Sequence, residues 1–163
     1  MLDKEPMTPL GYEKITKELD QLKNTERAKV AQEIQTAAQL GDLKENAEYH
    51  AAKEKMDHLE KRIALLEAFV GKAHVIDPAA LPHKRVSFGS TVKLLDLETD
   101  EEVVYTIVGS VESDAARGLI SFGSPLARVL MGKEPGQDVV ADLPNGIKEF
   151  EIVEVGFKEI NFG

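Results

Sequence analysis

Hydrophobic positions in the first half of the chain recur at a helical interval. Ile15, Leu19, Leu22, Val30, Ile34 and Ala38 follow one another in steps of three, four or eight. After a break, Ala52, Met56, Leu59, Ile63, Leu66 and Val70 alternate steps of four and three. The second series is a 3.5-residue repeat, which gathers its side chains into a narrow seam along one helix. Neither stripe can bury itself alone. The pattern therefore predicts two antiparallel helices seamed together, reversing at a tip over 41–48, Gly41-Asp42-Leu43-Lys44-Glu45-Asn46-Ala47-Glu48. Thr8 before Pro9 reads as an N-cap with proline at the first helical position, so the first helix runs from there to about Leu40. Gly71 reads as the C-cap of the second. Glu26 interrupts the first seam, either as a polar layer or at its edge.

Beyond residue 73 the period changes. His74–His83 carries two prolines and reads as a short extended piece and a linker. Strand-like runs follow at Thr91–Leu95, Val103–Val108, Leu119–Phe122, Val139–Leu143 and Glu149–Val153, with a turn at Pro144-Asn145-Gly146 between the last two. Ser124-Pro125 pairs an N-cap with proline and opens a short helix through about Met131. The expected fold class is α+β in two domains: a helical hairpin over 1–73, a linker over 74–85, and a globular domain over 86–163 in which one helix lies against an antiparallel sheet.

Two readings fit the tip. In one, Asp42 caps the second helix and Glu45, three residues on, reaches back to the cap's own backbone N–H, as in a capping box; carboxylates also suit the positive end of the helix dipole. In the other, Asp42 and Glu45 form half of a Mg²⁺ site, since this ion takes oxygen ligands and is often held by one or two carboxylates. Tyr49 falls one turn after Glu45 on the same face, to lean on the first helix or to touch a ligand. Arg27, Lys29, Lys44 and Lys53 read as solvated lysines and arginine on a helical arm or as a basic flank for RNA.

Composition removes several alternatives. The chain of 163 residues has no cysteine and a net charge of −9, most of it after residue 73. There is no disulfide framework and no thiolate metal site, which fits a reducing cytosol. The acidic balance argues against autonomous duplex binding, which rests on neutralised phosphates. No apolar run is long enough to span a membrane, and Met1–Pro6 lacks a basic-then-apolar leader pattern. Gly123 to Gly132-Lys133 is not a phosphate loop. Asp96, Glu98, Asp100 and Glu102 alternate like a calcium loop without its central glycine, and a solvated hairpin turn accounts for them. The histidines at 50, 58, 74 and 83 have neither metal-motif spacing nor a nucleophile beside them.

The run GDLKENAEYHAAKE, with Met7-Thr8-Pro9-Leu10-Gly11, Val108-Gly109, Ile120-Ser121, Ser124-Pro125-Leu126-Ala127-Arg128 and Gly132-Lys133, resembles the bacterial Gre family of transcript-cleavage factors over nearly the whole chain. The resemblance raises the metal reading of Asp42 and Glu45 above the capping one. It implies that they complete a Mg²⁺ site in the active centre of bacterial RNA polymerase, with Asn46, Glu48 and Tyr49 as near-tip support. It implies Lys44 and Lys53 as contacts to the nascent RNA 3′ end, and docking through Ser124, Pro125, Arg128 and Lys133 on the rim of the polymerase secondary channel. It further implies a globular domain similar to the FK506-binding-protein fold, and a cytoplasmic, monomeric accessory factor that is not itself an enzyme and holds no tightly bound cofactor alone. The family shows a basic residue just upstream of the tip glycine, where this chain reads Ala37-Ala38-Gln39-Leu40. Two rivals stand beside this reading. One is a channel regulator that inhibits without cleavage, against which the Asp42/Glu45 pair argues. The other is a peptidyl-prolyl isomerase or peptide binder, which calls for an aromatic-walled pocket in a chain without tryptophan.

Overall fold

The computed structural model describes residues 4–160. Met1–Asp3, part of the stretch read for a leader pattern, lie outside the described residues. The chain divides into two compact units, Tyr12–Lys72 and a second made of the chain up to Gly11 with Ala73 onward. The stretch up to Gly11, expected with the hairpin, thus clusters with the globular unit.

In the hairpin unit, α1 (Pro9–Gln21), a π-helical segment (Leu22–Glu26) and α2 (Arg27–Ala38) run up, and α3 (Ala47–Lys72) returns. The π segment explains the step of eight in the first seam. A heptad repeat has no place for an eighth residue, and the wider turn absorbs it: the Arg27 N–H donates to the Leu22 carbonyl, five residues back. Ile15, Val30 and Ala37 on the ascending side and Ala52, Ile63 and Leu66 on the descending side are buried. Ala37 takes the buried place expected of Ala38. Arg27 forks onto Glu60 with nitrogen–oxygen distances of 2.9 and 3.1 Å, and Lys55–Glu33 and Arg62–Glu18 also bridge the two sides. Gly71 is not a cap. It has no positive φ and lies inside α3, which continues through Lys72.

In the globular unit, β1 (Glu5–Met7) pairs in parallel with β2 (Ala73–Val75), and the Ile76 N–H donates to the Met7 carbonyl at 2.8 Å. A five-stranded sheet follows the order β5-β4-β3-β7-β6, from β3 (Thr91–Asp96), β4 (Glu102–Val108), β5 (Leu119–Ser121), β6 (Asp138–Leu143) and β7 (Gly146–Gly156). The sheet is mixed rather than antiparallel, because β5 runs parallel to β4, with Thr106 opposite Leu119. The cause lies in residues 109–118. Two 3₁₀ turns, Ser110–Glu112 and Ala115–Arg117, carry the chain back alongside β4 as far as Thr106, where the carbonyl of left-handed Gly118 (φ 72°) accepts the Thr106 N–H at 2.8 Å. The turn expected at Pro144-Asn145-Gly146 joins β6 and β7 but is one residue shorter, since Gly146 already opens β7 opposite Leu143.

The short helix α4 (Pro125–Leu130) starts at Ser124, whose Oγ accepts the Ala127 N–H at 3.3 Å. Its Leu126, Ala127 and Leu130 join Val92, Leu94, Ile107, Ala141, Phe150 and Ile152 in one core on a single face of the sheet. The β3–β4 turn is not wholly solvated. Asp96 is buried, accepting the Glu98 N–H at 2.9 Å and the Thr99 N–H at 3.3 Å, with Lys148 at 3.4 Å.

A buried carboxylate binds the N-terminal segment to this unit. Glu112 accepts the Thr8 N–H at 3.1 Å, the Gly109 N–H at 3.0 Å and the Thr8 hydroxyl. Thr8 Oγ1 in turn accepts the Gly11 N–H at 3.0 Å, the N-cap bond expected at the start of α1. Gly11 is required by this arrangement, since a Cβ there would sit 1.9 Å from Glu112 Oε2.

Candidate functional site

The tip is built on Gly41, whose φ of 133° is open to glycine and strained for any other residue. Asp42 follows in an extended conformation and caps a 3₁₀ turn, Leu43–Glu45, its Oδ1 accepting the Lys44 N–H at 3.0 Å. The helix α3 has a different cap. Asn46 Oδ1 accepts the Tyr49 N–H at 2.9 Å, and the Asn46 carbonyl accepts the His50 N–H at 3.1 Å. The expectation that Asp42 caps the second helix is therefore corrected. The chain offers two good N-cap residues four apart, and the 3₁₀ turn between them hands the long helix to Asn46. The back-bond expected of a capping box is not made, and the Glu45 carboxylate accepts no hydrogen bond among the described residues.

Asp42 and Glu45 are both exposed on this short turn. Among the described residues, Asp42 keeps one carboxylate oxygen without a protein donor and Glu45 keeps two. Such a donor set suits a hard cation that takes oxygen ligands and retains water or substrate oxygens for the rest of its shell. Among the described residues no group of three or more His, Cys, Asp or Glu side chains is gathered to hold a metal ion. The tip supplies part of a coordination shell, not a cage.

The neighbours divide the other candidate roles. Lys53 Nζ lies 6.0 Å from the centre of the half-buried Tyr49 ring, at the outer reach of a cation–π contact, and the His50 ring meets Tyr49 edge-on at 5.6 Å. His50 Nε2 lies 3.2 Å from the Lys44 carbonyl, which ties that backbone to α3 while the exposed Lys44 side chain makes no ion pair among the described residues. Glu48 instead lines an open groove between α2 and α3 with Gln32, Thr36 and Lys55. Arg27 is engaged by Glu60 and is not part of a free basic flank.

In the globular unit, Arg128 and Lys133 line one shallow concavity with Met131, Asp138 and Val140, and neither cation has an ion-pair partner among the described residues. Pro125 is exposed at the first turn of α4, whereas the Ser124 hydroxyl serves as that helix's cap. His83 does have serines beside it, contrary to the sequence reading. Its Nδ1 lies 2.7 Å from Ser90 Oγ, its Nε2 lies 2.5 Å from the Pro78 carbonyl, and its ring stacks on Phe157. Ser90 is completely buried, with its oxygen accepting the Ser87 N–H, so this cluster is a packed polar network without access for a substrate.

Two family models together span almost the whole chain. Residues 5–75 match the N-terminal domain model of transcription elongation factors, and residues 81–157 match the C-terminal model described as GreA/GreB. The chain belongs to the GreA/GreB family of transcription elongation factors. Two similar relatives are both named transcription elongation factor GreA. The protein of Aliarcobacter butzleri is 59% identical over 160 residues, covering 98% of this chain and 99% of the relative. That of Helicobacter pylori strain 26695 is 58% identical over 161 residues, covering 99% and 98%. The solved GreA factor homolog 1 of Thermus thermophilus aligns over 94% of this chain and 99% of its own at 24% identity and a TM-score of 0.44, too loose a superposition for comparing geometry. Among the described residues of this GreA/GreB-family chain, no helix is long and apolar enough to cross a membrane.

Proposed function

We propose that this chain is a transcript-cleavage factor that enters the secondary channel of bacterial RNA polymerase and lends it two metal-binding carboxylates. The observation that carries the reading is the exposed pair Asp42 and Glu45, on a turn held at the end of a long hairpin in a chain of the GreA/GreB family. Their free oxygens fit Mg²⁺, and the residues that complete its shell belong to the polymerase. When bound, Mg²⁺ supplies a Lewis acid that activates water and stabilises the leaving oxygen in an in-line attack on phosphate. Asp42 and Glu45 bring negative oxygens to that position. Lys44 and Lys53 stand on the same end of the hairpin to meet the phosphates of the nascent RNA 3′ end, and Tyr49, under Lys53, limits its wandering.

Ser124, Pro125, Arg128 and Lys133 form the docking segment on the rim of the channel, where the two unpartnered cations meet an acidic counterpart. The globular unit's likeness to the FK506-binding-protein fold belongs to this same proposal, as do action as a monomer and a cytoplasmic location. The chain is an accessory factor, and the polymerase is the enzyme.

The test uses a backtracked elongation complex with labelled RNA, given no factor, the wild-type chain, or Asp42→Ala/Glu45→Ala. Mg²⁺-dependent release of short 3′ fragments with wild type, abolished in a double variant that still competes for polymerase, is the expected outcome. Wild-type chain that binds polymerase without accelerating cleavage overturns the reading in favour of an inhibitory channel regulator.

A further inference from the structure

The residue that joins the two sides of the hairpin at its tip is neither of the carboxylates. Asn46 is half-buried, and its amide is used at both ends. Nδ2 donates to the Ala37 carbonyl at 2.6 Å, and Oδ1 accepts the Tyr49 N–H at 2.9 Å. Ala37 lies in the last turn of α2, where carbonyls lose their i+4 partners, and its carbonyl accepts the Leu40 N–H at 3.1 Å with a lone pair to spare. Tyr49 lies in the first turn of α3, where the N–H groups have lost theirs. One side chain thus satisfies an orphan N–H of α3 and adds a second bond to a carbonyl at the end of α2. The Asn46 backbone adds two bonds, its N–H donating to Leu43 O at 3.4 Å and its carbonyl accepting from His50. The loop from Ala38 to Glu45, with both carboxylates, is closed by this residue.

We propose that Asn46 is a positioning residue for the metal-binding pair: by clamping the end of α2 to the start of α3 it fixes where Asp42 and Glu45 present their oxygens. The inference rests on the reading of Asp42 and Glu45 as donated ligands. Chemistry selects asparagine for the position. Aspartate also caps α3 but, ionised, has no donor for Ala37 O. Serine and threonine carry donor and acceptor on a single oxygen, whereas the asparagine amide sets them on two separate atoms, one for each helix. Groups that orient metal ligands without touching the metal typically contribute about 10–100-fold in affinity or activity.

Asn46→Asp separates the two halves of the role. It keeps an oxygen for the Tyr49 N–H, and an ionised cap suits that helix end. It replaces the donor to Ala37 O with a second acceptor, so the clamp opens. On a backtracked complex, Asn46→Asp should lower the maximal cleavage rate by about 10–100-fold. The factor concentration for half-maximal effect should stay unchanged, and the Mg²⁺ requirement should rise. Raised Mg²⁺ should restore part of the rate for Asn46→Asp and none for Asp42→Ala/Glu45→Ala. An unchanged maximal rate and Mg²⁺ requirement overturns the proposal, as does a loss expressed only as weaker binding to polymerase.

Amide exchange in the free protein reads the clamp without polymerase. The Glu45 and Asn46 amides, which donate to Asp42 O and Leu43 O, should exchange faster in Asn46→Asp while those of Ile63 and Leu66 do not change. Equal exchange at the tip overturns the clamp whatever the cleavage assay gives. Faster exchange at the tip together with a wild-type chain that fails to stimulate cleavage leaves the clamp standing and removes the function proposed for the loop it holds.

Discussion

Carboxylates at the hairpin tip and carboxylates in the globular unit occupy opposite environments. Asp42 and Glu45 are exposed, and Glu45 accepts no hydrogen bond among the described residues. Glu112 and Asp96 are buried, each holding three protein donors. An exposed carboxylate without partners contributes almost nothing to stability and keeps its oxygens for a ligand. A buried one has given its oxygens to backbone N–H groups, and removing it strands those donors. Burial alone therefore sorts this acidic chain's carboxylates into those available for chemistry and those committed to the fold.

The largest contrast comes from removing each kind. Asp42→Ala/Glu45→Ala should abolish factor-stimulated cleavage, a loss of several kcal/mol of metal-borne transition-state stabilisation, or more than about 100-fold in rate. The same variant should lose no more than about 1 kcal/mol of stability, the cost of the Asp42 cap bond on an exposed 3₁₀ turn. Calorimetry beside the cleavage assay checks both. A double variant that unfolds early would move the tip pair into the structural class and erase the contrast.

Glu112→Gln should do the reverse. It replaces one carboxylate oxygen with an NH₂. The remaining oxygen can still accept the Thr8 and Gly109 N–H groups, but the Thr8 hydroxyl then faces a donor and loses its acceptor, at about 1–3 kcal/mol by denaturant titration. The effect also has a sign in pH. Burial pushes the Glu112 carboxyl above its usual 4.5, outweighing the hydrogen bonds from Thr8 and Gly109 that pull it down. A raised carboxyl binds its proton more tightly in the folded state, so its contribution is fully present below 4.5 and declines as pH rises through the raised value. The stability gap between wild type and Glu112→Gln should accordingly shrink with rising pH across that window. A gap that widens would mean that the three hydrogen bonds outweigh desolvation.

The hairpin was legible because a 3.5-residue period leaves few alternatives, and the Gly41 reversal required a residue with positive φ. The strands were legible for the same kind of reason, each run ending at a turn or cap. Less accessible were features that depend on two distant places at once. Nothing local announces that Glu112 meets Thr8, although Gly11 and Gly109, the glycines that make room for it, are both in the sequence. The parallel β4–β5 pair was hidden because it depends on how residues 109–118 wind. At the tip the sequence reading takes Asp42 alone as the cap and passes over Asn46, a residue type that caps as well, and only the 3₁₀ turn between them decides which one starts α3. The step of eight at Leu22–Val30 was a visible irregularity whose cause, a π segment, is a backbone solution and not a side-chain pattern.

Asp96 offers a smaller test of the same division, with the opposite pH sign to Glu112. The Glu98 backbone N–H, with help from Thr99 and Lys148, holds its carboxyl below the usual 3.8 against the cost of burial. Its contribution is present above 3.8 and lost as pH falls through the depressed value. In acid titrations followed by circular dichroism, Asp96→Asn should remove part of the wild-type loss of stability at low pH. An unchanged acid limb would show that the turn holds without the charge.

The smallest expected effect belongs to the middle of the hairpin, which sits between the two classes. Arg27 and Glu60 form a bidentate pair, yet both remain partly exposed, with 39% and 47% of their side-chain surfaces in contact with solvent. Such pairs are worth about 0.2–1 kcal/mol, less as salt is added. A double-mutant cycle of Arg27→Ala and Glu60→Ala should give a coupling in that range at low salt and close to nothing at high salt. Cleavage stimulation should be unaffected by either substitution, since the guanidinium is already engaged within the hairpin. If Arg27→Ala depressed cleavage and Glu60→Ala did not, the arginine would instead be acting on RNA, and the boundary between structural and chemical charge would have to be drawn further down the arm.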